Sequence, residues 1–451
     1  MKNTILFDKH EVFVNGNRDT IPSLLDTNSD LLIDMFKGFK YPISSWPVIL
    51  TNELKNDLEE ASIAIPRLLQ EIPALYFDND VKRIADFYFQ GNQELGQFSM
   101  LCHSKKVEVS CRLDLTYTEN GFKVLEVNMG SSIGGMEFQN FEPLMQEMHP
   151  VLSTENKQFL SRETQSIYTK FLIDKVEEYV SSTDAEIGVF LVSEKEEQVE
   201  SKQIVKNFFN QLLEKELSKR GKKGHTQMAS INALQFKAGQ LQYNGKKIHL
   251  VLTLDFAENN ISPSIFRALI TDSVYFPDHL GTMFMRDKRN LAILRTLALA
   301  NKFSEQDNAR ILKYIPWTAI VADTEVQYED AVHNMSQLLT ERKEDFVIKI
   351  ADGLQGTDVF VGKFQDQARW EEIIQMAIKE KKYIAQEFSQ SIDMLAPNKN
   401  NEWKTHKLVW GAFGFGKTYG GAWVRMSANQ NDAGVINSAT GAVEALVYET
   451  I

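Results

Sequence analysis

Arg112, Asp114, Glu126 and Asn128 are spaced two apart in each half of the segment RLDLTYTENGFKVLEVN, between residues that favour burial. Side chains alternate faces along a strand, so a hairpin of suitable register would gather all four on one side. A three-residue turn, Glu119-Asn120-Gly121, sets Thr118 opposite Phe122, with Gly121 supplying a positive φ. That register pairs Asp114 with Glu126 and Arg112 with Asn128, and turns Leu113, Leu115, Leu125 and Val127 toward a core. A two-residue Asn120-Gly121 turn would break the parity, because a one-residue slip flips the faces. Two facing carboxylates repel unless a cation lies between them. With an amide oxygen they form the all-oxygen donor set that suits Mg²⁺, completed by phosphate and water. The arginine beside them can hold a phosphoryl oxygen. The same alternation also describes an amphipathic surface hairpin.

Further polar residues stand at the ends of expected strands and helices. In VIKIADGLQGTDVFVG, Lys349 precedes a loop with Gly353 and Gly356. Glycines let backbone N–H groups approach an anion, and a strand lysine that is buried needs a partner, of which a triphosphate is one. The loop matches neither a Walker A sequence nor GxGxxG, and reads equally as a hairpin turn. Lys288 opens an expected helix, as an ordinary first-turn lysine would. Gln386 and Glu387 end the strand YIAQEF, as a solvated terminus or as an adenine-reading hinge. In MGSSIGG, Ser131 and Ser132 lie among glycines, which suits a flexible turn or a carboxylate- or phosphate-binding loop.

The surrounding pattern says which elements carry these residues. Helical spacing recurs in SDLLIDMFKGF, ASIAIPRLLQEIPALYF and DVKRIADFYFQ, and again over 159–180. EIGVFLVSE reads as a buried parallel strand, followed by a helix and then a hairpin or strand pair in YNGKKIHLVLTLDF, a small doubly wound unit. From about 286 come a helix, a proline turn into a strand, strand–glycine loop–strand over 346–363, and another helix and strand. The C-terminal stretch alternates strands with glycine-rich turns, and 396–404 reads as an exposed loop. The divisions are 1–103, helical; 104–180, the hairpin and a helix; 181–285, α/β; and 286–451.

Composition narrows the function. A net charge of −12 argues against a nucleic-acid partner. The basic run Lys219–Lys223 reads as a solvated loop. Two cysteines, Cys102 and Cys111, are too few for a disulfide framework, and neither a signal peptide nor a membrane-spanning stretch is evident, so a cytoplasmic protein is expected.

Taken together these pieces resemble the ATP-grasp superfamily, in which two α+β subdomains clamp ATP. The matching residues are Lys288 before a helix, Lys349 before Gly353 and Gly356, Gln386 and Glu387 at the hinge, and Arg425, Asn437 and Gly441 in VRMSANQNDAGVINSATGA. The R-x-D … E-x-N hairpin completes the set. In the usual family it comes last; here it comes first, so the chain resembles the circularly permuted branch that includes glutathionylspermidine synthase. The resemblance covers about 104–135 and 280–446. Ala442 stands where a second glycine is expected.

The resemblance implies a circularly permuted ATP-grasp fold of mixed α/β and α+β class, with a pre-ATP-grasp-like α/β domain over 181–285 and a helical N-terminal region. It implies an ATP-dependent carboxylate–amine ligase that forms an acyl phosphate with ATP and Mg²⁺. Asp114, Glu126 and Asn128 would hold the metal, and Lys288, Lys349, Gly353, Gly356, Gln386, Glu387 and Asn437 the nucleotide. Arg112 and Arg425 would act on the transferring phosphoryl group, and Ser131 and Ser132 on a small-molecule or peptide substrate. A phosphotransferase on the same scaffold, a non-catalytic nucleotide-binding protein and an ordinary α/β protein are the rivals.

Overall fold

A computed structural model gives the structure of the chain. It describes residues 10, 13–14, 20–181, 184–195, 199–254, 262–353, 358–398, 400, 402–428, 436 and 441–451. Three sheets matter to the candidate site. The largest runs, in spatial order, through Val48–Leu50, Val443–Thr450, Thr418–Ser427, Trp403–Phe415, Ser110–Thr118 and Gly121–Met129; Met394–Pro397 and Phe159–Leu160 pair at its flanks. The hairpin from the first third of the chain therefore docks on strands from its last tenth. Ser110–Thr118 pairs antiparallel with Trp403–Phe415, with Asp114 opposite Gly411 and Arg112 opposite Phe413.

Both faces of this sheet are covered. Helix Asn52–Leu69 begins at Thr51, whose side-chain oxygen accepts the Leu54 N–H. Its Leu58, Ala61, Ile65 and Leu68 pack into one core with Leu113, Leu115, Val124 and Trp410. On the other face Phe413, Phe415 and Trp423 join helix Thr164–Tyr179 through Tyr168 and Phe171. Burial on both sides explains why residues 410–415 read as an apolar run, whereas Gly121–Met129 alternates.

The α/β unit is a three-stranded parallel sheet, Leu250–Thr253, Glu186–Val192, Lys223–Ala229, with helix Val199–Ser218 as the crossover. Glu186–Val192 is central, as its continuous apolar run predicts. YNGKKIHLVLTLDF divides between a small hairpin, Gln240–Tyr243 with Lys246–Lys247, and the parallel strand Leu250–Thr253. The third sheet is antiparallel, in the order Thr318–Ile320, Tyr383–Glu387, Phe346–Ile350, Val359–Val361. Helix Gln367–Glu380 covers it, with Trp370, Ile348, Phe346 and Tyr383 in its own core.

Three expectations need correction. SDLLIDMFKGF forms no continuous helix: only a 3₁₀ turn, Asp34–Phe36, appears. Leu32 and Phe36 are buried at helical spacing while Leu31 and Ile33 are exposed, yet the backbone between them does not close into a helix. Local side-chain bonds favour turns instead, with Asp26 accepting from Asn28 N–H and Ser29 from Leu31 N–H. Lys219–Lys223 is not merely solvated: Arg220 pairs with Asp174, Glu177 and Glu216, and Lys222 with Glu177. Ala396 and Pro397 belong to a strand paired with Lys404 and Trp403, so that loop begins later.

Candidate active site

The hairpin delivers its pairs by a different route from the one expected. Asp114 faces Glu126 and Arg112 faces Asn128, but the tip is the two-residue Glu119-Asn120, with Thr118 opposite Gly121. Gly121 has the positive φ expected, +84°. The parity lost at the tip is restored by a β-bulge: Asp114 pairs with Glu126 and Leu115 with Val124, leaving Leu125 as the extra residue. Leu125 is accordingly half-buried, while Val124 and Val127 enter the core.

Asp114 lies at the centre of the polar face and is 4% exposed. Arg112 grips it with Nε at 2.7 Å from Oδ1 and Nη2 at 3.2 Å from Oδ2, and Arg425 Nη2 lies 2.5 Å from Oδ2. Burial alone would push this carboxyl up, but the two guanidinium groups hold it well below the usual carboxylate range. Arg425 stands on Thr418–Ser427, two residues from Trp423, hence on the same face. The Trp423 ring lies 4.9 Å from the Arg425 guanidinium and 5.5 Å from that of Arg112, a shared cation–π platform. Gly411, opposite both Asp114 and Trp423, makes room: a Cβ there would stand 3.1 Å from the indole and 3.2 Å from Arg112 Cδ.

Two lysines approach from another direction. Lys288 caps helix Arg289–Leu299; its Nζ donates to Gly353 O at 2.6 Å and lies 3.4 Å from Glu126 Oε2. Lys349, on Phe346–Ile350, donates to Gln386 Oε1 at 2.7 Å and to Leu125 O, the bulge carbonyl, at 3.3 Å. Burial pulls its ammonium down to about 8; Glu126 opposes that shift and Lys288 adds to it. Thus four cations, Arg112, Arg425, Lys288 and Lys349, surround two carboxylates, Asp114 and Glu126.

Such an excess of positive charge calls for an anion more than for a bare cation. Among the described residues, no group of three or more His, Cys, Asp or Glu side chains is arranged to hold a metal. Asp114 already commits both oxygens to guanidinium groups. Glu126, beside it, and Asn128, whose amide donates to Glu126 at 3.4 Å, bring further oxygens to this face. This set fits Mg²⁺ provided that a polyphosphate supplies the remaining oxygens.

The other expected residues divide. The Gln386 side chain is 1% exposed and engaged with Lys349, Thr318 and Val124 O. The backbone N–H of Glu387 donates to Trp317 O, and its carboxylate accepts from Trp317 N–H at 3.4 Å. Ser131 and Ser132 tie the loop after the hairpin to the carboxyl end of the parallel sheet: Ser131 Oγ donates to Asp278 and accepts from Thr253 N–H, and Ser132 Oγ donates to Leu254 O. Gly356 and Asn437 lie outside the described residues.

Sequence reasoning missed Trp423, Thr318, Asp278 and Glu137. The two-residue spacing of Trp423 and Arg425 was the signal for the first. Glu137 has none: its carboxyl is brought near Arg112 by the turn after Gly135, and burial pushes it up against the pull of backbone N–H groups and that arginine.

No protein-family model matches the chain, and no curated protein matches it by sequence. Among solved structures, the fold is similar to that of a glutathione synthetase-like effector from Globodera pallida in its apo form, at 13% identity and a TM-score of 0.61, covering 100% of this chain and 98% of that one. A Methylobacillus flagellatus protein provisionally assigned as a gamma-glutamylcysteine synthetase aligns at 11% identity and a TM-score of 0.42 over 85% of this chain and 88% of its own. The first likeness shows the fold alone: this is a mixed α/β multidomain chain built on the plan of that synthetase-like effector.

Proposed function

We propose that the protein is an ATP-dependent carboxylate–amine ligase of permuted ATP-grasp architecture, requiring Mg²⁺ and releasing ADP and phosphate. One observation carries the reading. Four cationic side chains from four segments far apart in sequence converge on the Asp114–Glu126 face. A structural ion pair would need one or two cations, whereas a polyphosphate needs several. The docking of the 110–129 hairpin on the C-terminal strands supports the permuted order.

Lys288 and Lys349 hold the α- and β-phosphates, and Arg112 and Arg425, steadied by Asp114 and Trp423, meet the transferring γ-phosphoryl group. Glu126 and Asn128, with Asp114 beside them, are the side chains that would hold Mg²⁺, whose chemistry is to neutralise charge on the phosphate oxygens. A substrate carboxylate oxygen attacks the γ-phosphorus and the bond to ADP breaks. An amine then attacks the acyl carbon, phosphate leaves and the amine loses a proton. Most of the catalysis is positioning and electrostatics, so no strong protein nucleophile is needed.

The test is ADP release from Mg²⁺-ATP with pools of carboxylic acids and amines. Release that needs both an acid and an amine supports the ligase. Release with acid alone, leaving a phosphorylated acid, identifies a phosphotransferase, and no turnover despite nucleotide binding identifies a non-catalytic binder.

A further inference from the structure

We infer that Gln386 is a positioning residue for Lys349, the third member of a polar relay running from Pro316 to the phosphate-binding face, and that it does not read the nucleotide base with its side chain. The inference rests on the proposed nucleotide site, which it deepens. The relay has a fixed direction. Thr318 Oγ1 donates its hydrogen to Pro316 O at 2.9 Å. It can then only accept from Gln386, 3.2 Å away, so that end of the Gln386 amide must be the NH₂ group. Val124 O, an acceptor only, lies 3.4 Å from the same nitrogen and demands the same orientation. The amide oxygen is thereby turned onto Lys349 Nζ at 2.7 Å.

The ammonium has three N–H groups. Gln386 takes one and the bulge carbonyl of Leu125 takes a second. The third is left to point along the face shared with Lys288 and Glu126. Both bonded partners of the lysine are neutral, so its charge is directed to a ligand, where a carboxylate in place of Gln386 would offset it. Every hydrogen-bonding atom of the Gln386 amide is used in this arrangement, and the residue is fully buried, so an adenine ring would have to break the relay to reach it.

The experiment compares Gln386→Leu, Thr318→Val, Thr318→Ser and the Gln386→Leu/Thr318→Val double variant. Two readings are taken: the Kd for Mg²⁺-ATP by calorimetry, and the rate of acetylation at Lys349 by mass spectrometry without nucleotide. Gln386→Leu should raise the Kd about tenfold, the worth of one hydrogen bond to a charged group. Thr318→Val should raise it less, Thr318→Ser should restore it, and the double variant should be no worse than Gln386→Leu, because the two act through one path. Acetylation at Lys349 should rise in the same order. A raised Kd for GTP matching that for ATP separates positioning from base reading.

Unchanged Kd and unchanged acetylation in variants with the parent Tm would overturn the inference. Altered acetylation in the variants, together with a wild-type chain that binds no nucleotide, would uphold the relay and overturn the proposed function instead. If Gln386→Leu fails to fold, Thr318→Val against Thr318→Ser decides alone, since a purely structural loss would lower Tm without changing acetylation relative to the other lysines.

Discussion

Asp114 and Glu126 face each other, yet they do different work, and their variants should separate stability from activity. Asp114 is buried between two guanidinium groups. Asp114→Asn leaves those cations without their counter-charge, which costs about 3–5 kcal/mol when a buried pair is broken from one side. A large fall in Tm is expected, with activity lost alongside. Glu126 is only partly buried, so Glu126→Gln should leave Tm within a degree or two while abolishing Mg²⁺-dependent turnover; unchanged turnover would remove it from the site. Lys349 supplies the pH dependence. Its ammonium is pulled down to about 8, so the free protein loses that charge as pH rises through 8. A phosphate prefers the charged form, hence nucleotide affinity should be flat below pH 7 and fall above 8. Lys349→Met should bind more weakly throughout and lack that inflection, and a wild-type affinity that climbs with pH would contradict the assignment. The four polar hairpin residues, Lys288 and Lys349 could all be singled out in the sequence because charged groups at strand positions and helix starts are conspicuous. What could not be read was commitment: nothing in YIAQEF distinguishes a glutamine that faces a ligand from one that holds a lysine.

Elements fix how those side chains meet, and here the hairpin is instructive because two departures from its expected geometry cancel. The tip is one residue shorter than foreseen, and Leu125 adds one residue back. The adjacent apolar pair Val124-Leu125 interrupts the alternation of FKVLEVNM, and that break in phase is the side-chain pattern that marks the bulge. Its consequence lies 224 residues away in sequence, where Lys349 takes the extra carbonyl. Deleting Leu125 offers a clean test, since the straightened hairpin would still pair Asp114 with Glu126 and Arg112 with Asn128. The deletion should preserve folding and the polar face but remove the carbonyl aimed at Lys349, raising the nucleotide Kd several-fold. Parent-like affinity would mean that the bulge only corrects register. The loop after the hairpin is less forgiving. Gly135 has φ +90°, and a Cβ there would overlap the Trp423 indole on which both arginines rest. Gly135→Ala should cost about 2 kcal/mol or more, read as a fall in Tm, because backbone strain and a steric clash add.

At the scale of the whole molecule, the question is why so early a hairpin belongs to so late a sheet. Trp403–Phe415 pairs with Thr418–Ser427 on one side and Ser110–Thr118 on the other. Without the hairpin, residues 410–415 lose their second partner strand, and an uncovered, apolar strand is a template for aggregation. Helix Asn52–Leu69 is also missing from any C-terminal fragment, so Trp410 and Val424 lose the layer that buries them. The antiparallel sheet with Lys349 is different, since Trp370, Ile348 and Tyr383 pack within residues 318–387. A fragment of residues 286–451 should therefore be folded in one part only. Hydrogen exchange should find protection at the amides of Ile348 and Ile384 and none at Trp410 and Val424, and the fragment should be poorly soluble. Co-expression with residues 1–285 should recover a one-to-one complex in which Trp410 and Val424 regain protection. Protection at those two amides in the isolated fragment would show that the C-terminal strands form a sheet without the hairpin, and would remove the physical reason for reading the two distant segments as one unit.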